Sequence, residues 1–85
     1  MRIRFKSENG SNANIMEIIS IEFSVDNNYI VLTNALGTIY MIPYLNILTY
    51  DDINRILDDL LKIGYFDFST NVFDYIEEIE DEDDS

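Results

Sequence analysis

Between Met16 and Pro43 the chain repeats one physical pattern three times, and that pattern leaves it little choice of architecture. Ile19, Ile21, Phe23 and Val25 alternate with Ser20, Glu22 and Ser24, the period of a strand with one face buried. A strand is therefore expected from about Met16 to Val25. Asp26-Asn27-Asn28 follows, made of residue types that tolerate the positive φ of a tight hairpin, so Tyr29 to Thr33 is expected to return as its partner. Asn34-Ala35-Leu36-Gly37 makes a second turn, and Thr38 to Ile42 a third strand. Pro43 ends it, because proline has no N–H to give to a ladder.

Arg2-Ile3-Arg4-Phe5-Lys6 alternates as well, with Ile3 and Phe5 on one side and three basic groups on the other. It reads as an edge strand whose outward charges discourage unwanted pairing. A polar loop, residues 7–14, separates it from the meander by turn chemistry.

The period then changes from 2 to 3.6. Thr49 is placed as an N-cap, Asp52 stands three residues on as in a capping box, and Leu48 and Ile53 are spaced as a hydrophobic staple. Ile53, Ile56, Leu57, Leu60 and Leu61 recur on one face, and Gly64 sits where a helix ends. Tyr65-Phe66-Asp67-Phe68 is either a short extended piece or a loop anchored by aromatics. Beyond it, Asn71 can cap a second helix with Val72, Tyr75, Ile76 and Ile79 inward. A strand through Val72 to Ile76 is the competing reading, since Val, Phe and Tyr favour sheets; the helix is preferred.

The expected fold class is α+β: an antiparallel sheet of about four strands, a β-meander, packed by one central helix over 49–63 and a shorter acidic C-terminal helix. Residues 1–79 form a single domain and 80–85 an acidic flexible tail. Eighty-five residues suffice for one modest core, and 47% apolar or aromatic content is too much for a disordered chain.

The chain has no His and no Cys, which removes disulfides, thiolate metal sites and the commonest general base. No cofactor is expected. No apolar run is long enough to span a bilayer, and the start lacks the apolar core of a signal peptide, so a cytoplasmic protein with no membrane association is expected. Richness in Ile, Asn, Asp, Tyr and Phe suits an AT-rich coding genome.

Charge is unevenly spread. Residues 1–50 hold three basic and four acidic groups, net −1, whereas residues 51–85 hold two basic and thirteen acidic, net −11. From Gly64 onward there are nine acids and no Lys or Arg. Such a surface repels nucleic acid and anionic lipid and steers basic proteins toward it.

Paired carboxylates invite an enzymatic reading, because two acids can serve as general acid and base or hold Mg²⁺. Adjacent residues on a helix, however, diverge by about 100° and do not converge on one atom. Asp51 and Asp52 also suit the first turn, where the helix dipole favours negative charge, while Asp51–Arg55 and Asp58–Lys62 are spaced i, i+4 for pairing. Glu80 to Asp84 lacks the alternating ligands and central Gly of an EF-hand. The chain is therefore read as a non-enzyme. Arg2, Arg4 and Lys6 are too few to hold nucleic acid; they are a place for the chain's own acidic tail to dock.

If the second helix forms, Asp74, Glu77, Glu78 and Asp81 fall at i, i+3, i+4 and i+7, a single acidic stripe whose charge spacing approaches that of DNA phosphates. Charge runs are also commonly mere solvated faces. In size, acidity and compactness, with this stripe at its end, the chain resembles the small phage-encoded anti-CRISPR and anti-restriction DNA mimics. The resemblance is one of overall character, without a shared motif. It implies a cytoplasmic inhibitor that competes with nucleic acid for the basic channel of a nuclease or effector complex. The expected partner-binding residues are Asp58, Asp59, Asp67, Asp74, Glu77, Glu78, Glu80 and Asp81, with Tyr65 and Phe66 as aromatic contacts. Two other readings stand beside it: an immunity-type protein that neutralises a basic nuclease toxin, and a structural or regulatory subunit whose tail keeps it soluble.

Overall fold

The structure is a computed structural model that describes residues 1–7 and 13–79. It is α+β: one helix, α1 (Tyr50–Lys62), and six strands, β1 (Arg2–Lys6), β2 (Ala13–Ser24), β3 (Tyr29–Asn34), β4 (Ile39–Pro43), β5 (Tyr65–Asp67) and β6 (Glu77–Glu78). The strands form one mixed sheet in the order β5-β1-β2-β3-β4-β6. The meander expected between Met16 and Pro43 is present as antiparallel β2, β3 and β4. Among the described residues no helix is long and apolar enough to cross a membrane.

The hairpin residues behave as their chemistry requires. Asn28 takes the left-handed conformation at φ 62°, and Gly37 does so at 88° in the next turn. There Asn34 Oδ1 accepts from the N–H groups of Leu36 (3.0 Å) and Thr38 (2.9 Å).

Helix α1 starts with the capping box in full. Thr49 Oγ1 accepts from the Asp52 N–H at 3.2 Å while Asp52 Oδ2 accepts from the Thr49 N–H at 3.2 Å. Leu48 and Ile53 are both buried, completing the staple. Gly64, at φ 78°, turns the chain out of the helix, and its carbonyl accepts from the Arg2 N–H at 2.8 Å. That bond aligns Tyr65–Asp67 alongside β1, parallel to it.

Four expectations are corrected. β1 is not an edge strand, because β5 pairs with its outer side; the sheet has six strands where about four were expected. In β2 a register shift between Ile18 and Ser20 moves the inward face from even to odd residues. Ile18 is thereby buried at 1% exposure and Ile19 turned out at 60%. On α1, Ile53, Ile56 and Leu60 are buried but Leu61 is 78% exposed, since it lies about 80° around the helix from Ile53, at the margin of the stripe.

The fourth correction concerns the C-terminal helix, which does not form. Phe73 bridges to Tyr44 and Glu77–Glu78 pairs with Tyr40 and Met41 of β4. The Ile76 N–H donates to the Lys6 carbonyl on β1 at 3.0 Å, while the next residue, Glu77, lies opposite Met41 on β4. In a flat sheet β1 and β4 would be about 14 Å apart, three strand spacings, so the sheet curls until one extended segment serves both sides. The open side of β4 and the Lys6 carbonyl beyond β5 would otherwise lack these partners. That demand, with the sheet preference of Val72, Phe73 and Tyr75, outweighs the local helix signal.

The core is one cluster: Ile3, Ile18, Ile30, Leu32 and Ile42 from the sheet, Leu48, Ile53, Ile56 and Leu60 from the helix side, and the aromatics Tyr44, Phe68 and Phe73.

Candidate functional site

The aromatics of that core, with Phe66 packed against them, back a surface cleft. Tyr44 and Phe73 stack tilted at 5.0 Å between centroids, Phe73 meets Phe68 at 4.9 Å and Phe66 at 6.3 Å, and Phe66 meets Phe68 at 4.7 Å. Edge-to-face and tilted contacts at these distances are favourable for ring quadrupoles. Phe68 is fully buried, Phe73 and Tyr44 are nearly so at 3% and 9% exposure, and Phe66 is half-buried; the last three line a cleft of about 440 Å³. Its rim carries Asp52, Arg55 and Asp59 from α1, Asp67 from the end of β5 and Thr70 from the chain after it.

The helix places its three rim residues by spacing alone, since Asp52, Arg55 and Asp59 are i, i+3 and i+7 on one face. Arg55 Nη2 lies 3.2 Å from Asp52 Oδ1. Burial raises the Asp52 carboxyl, but hydrogen bonds from the Thr49 N–H, the Thr49 hydroxyl and the Tyr44 hydroxyl, together with the Arg55 guanidinium, outweigh it and hold the group below the ordinary carboxylate value. The Tyr44 phenol is pushed up, first by burial and then by the Asp52 charge and its hydrogen bond, with Arg55 opposing. Asp67 Oδ1 accepts from both the N–H (2.8 Å) and the hydroxyl (2.5 Å) of Ser69, which fixes the turn leaving β5.

The carboxylates singled out in the sequence are dispersed by this fold. Asp59, Asp67 and Phe66 come together at the cleft. Asp58 is exposed on the helix and 3.8 Å from Lys62, as its i, i+4 spacing indicates, whereas Arg55 pairs with Asp52 and not with Asp51. Tyr65 is half-buried on β5. Asp74 is half-buried, with Oδ1 accepting from the Tyr75 N–H at 2.8 Å. Glu77 and Glu78 are both exposed on β6, where successive side chains point to opposite faces; with no helix there, Asp74, Glu77 and Glu78 do not form the expected stripe. Glu80 and Asp81, and with them the tail, lie outside the described residues.

Tyr44, Asp52, Arg55, Thr70 and Phe73 belong to the cleft and were not singled out as site residues. No spacing signal joins them, because they come from three separate stretches of chain that only the closed sheet brings together. Among the described residues, no group of three or more carboxylates converges as a metal centre requires. No protein-family model, curated protein or solved structure matches the chain.

Proposed function

We propose that the protein is a non-enzymatic inhibitor whose acidic surface occupies the basic nucleic-acid-binding channel of a larger protein, such as a CRISPR or restriction nuclease. The observation that carries this reading is the charge asymmetry: net −11 over residues 51–85, with both basic groups of that stretch, Arg55 and Lys62, already beside Asp52 and Asp58. The remaining acids there have no cation of their own within the stretch. Lys and Arg that hold phosphates in a partner would supply it, through the same charge-assisted bonds they make to nucleic acid.

Support also comes from the placement of the acids. Asp51, Asp58, Glu77 and Glu78 are exposed, so engaging them requires no rearrangement of the core. The test is capture of a partner from host lysate by the full chain. The captured protein is expected to be basic, to be released by rising salt, and to be displaced by duplex DNA. A main partner that is not basic, or one held more tightly as salt rises, would overturn the proposal.

A further inference from the structure

The cleft has a feature that a merely solvated acidic face does not need. Its floor is aromatic, with Phe66 half-buried and the nearly buried rings of Tyr44 and Phe73 behind it, and its rim is charged. Asp52 and Arg55 neutralise one another at 3.2 Å. Asp59 and Asp67 leave the cleft with two uncompensated negative charges. Among the described residues, Asp59 makes no ion pair through its carboxylate and Asp67 commits only Oδ1, to Ser69.

Ring faces carry partial negative charge and attract cations. An anion is repelled from such a cleft, and a neutral apolar group gains nothing from its rim. A cation is favoured at both levels, and its shape can be narrowed further. An ammonium is compact and strongly hydrated, whereas a guanidinium is planar, weakly hydrated, stacks on rings and presents a fork of donors to carboxylates. A cleft of about 440 Å³ lies within the range of sites that take a small organic group.

We infer that this cleft is a receptor for an arginine side chain of the partner, with the guanidinium against Phe66, which Phe73 backs, and its donors toward Asp59 and Asp67. The inference rests on the reading of the protein as a binder of basic proteins and names the group that it grips. It separates one specific anchor from the diffuse attraction of the remaining acids, in the manner of the few central residues that dominate most interfaces.

The experiment is a titration of the isotope-labelled full chain, followed by NMR, with N-acetyl-arginine methylamide. The neutral isostere, N-acetyl-citrulline methylamide, and the lysine counterpart serve as comparators. Saturable shifts are expected at Asp59, Phe66, Asp67 and Phe73, with affinity at least about five-fold higher for arginine than for citrulline. Asp59→Asn is expected to weaken arginine binding by about three-fold, and Phe66→Leu by about three-fold or more. Should Phe66→Leu fail to fold, Asp59→Asn on the helix rim decides the matter. Equal binding of citrulline, equal binding of lysine, shifts spread without saturation over β6, or indifference to Asp59→Asn would each overturn the assignment. No partner enters this titration. A cleft that binds arginine in a chain that captures no basic protein keeps the site and ends the proposed function; salt-sensitive capture with an unresponsive cleft does the reverse.

Discussion

Asn28 and Leu48, twenty residues apart, are joined by a hydrogen bond of 2.7 Å in which the Leu48 N–H donates to Asn28 Oδ1. The same side chain donates through Nδ2 to the carbonyls of Tyr44 (2.8 Å) and Asn46, and its own carbonyl accepts from the Tyr44 N–H at 2.9 Å. One turn residue thus holds the β2–β3 hairpin, the end of β4 and the approach to α1 together. Asn28→Asp keeps the left-handed tolerance and the acceptor but sets a carboxylate against two carbonyls. It is expected to cost about 1–3 kcal/mol, measured by urea denaturation. Asn28→Gly keeps the backbone and loses all the side-chain bonds, and it should also loosen Tyr44 at the cleft.

Asp52 of the capping box and the Tyr44 phenol beside it make stability depend on pH at both ends of the scale. Asp52 has its folded pKa depressed below the unfolded value, so its contribution is complete above the ordinary carboxylate range and is lost as pH falls through the folded pKa. Tyr44 has its folded pKa raised, so its contribution is complete below the ordinary phenol value of 10.0 and is lost as pH rises through the folded one. Asp52→Asn is expected to flatten the acid limb of a Tm-against-pH profile, and Tyr44→Phe the alkaline limb. Thr49→Ala removes the cap itself and is expected to cost about 1 kcal/mol at neutral pH.

The bulge in β2 sets two neighbouring isoleucines at opposite extremes. Ile18, 1% exposed, faces the core, while Ile19, 60% exposed, faces solvent. Ile18→Ala is expected to cost about 2–5 kcal/mol, and Ile19→Ala about 0.5 kcal/mol or less, by chemical denaturation. Strict alternation across Ile19, Ile21 and Phe23 requires the reverse order, so the pair tests the register shift directly.

These positions show what could be read from the chain and what could not. The capping box, the positive φ near Asn28, the turn at Gly37 and the end of α1 at Gly64 depend on a few adjacent residues, and local chemistry sufficed for each. The bulge was hidden because Ile18 and Ile19 are the same residue type, so either could continue the alternation. The end of the chain differs for a non-local reason: whether Val72 to Ile79 is helix or strand depends on β4 leaving a side open and β1 leaving its Lys6 end uncovered beyond β5, which becomes visible only once the sheet has curled. The cleft inherits that difficulty, since Phe73 reaches Tyr44 only in the extended form. Asp59, Asp67 and Phe66 were nevertheless singled out, because an excess of carboxylates around aromatics is visible in composition without any fold.

The extended C-terminal segment changes what each acid can do for a partner. On a helix, Glu77 and Glu78 would stand on one broad face with Asp74, and neutralising either would have similar effects. In β6 they pair opposite Met41 and Tyr40 respectively, and alternation sends them to opposite sides of the sheet. A partner that approaches one side therefore meets one of them. Glu77→Gln and Glu78→Gln, measured separately against the captured partner at low salt, are expected to differ by at least about three-fold in their effect on affinity. The more damaging of the two should also reduce the salt dependence of binding. Neither should move thermal stability appreciably, since both side chains are exposed and surface changes of this kind stay within about 0.5 kcal/mol. Equal losses from the two substitutions would mean that the partner does not distinguish the faces, and contact through β6 would then give way to long-range attraction by the whole acidic half of the molecule.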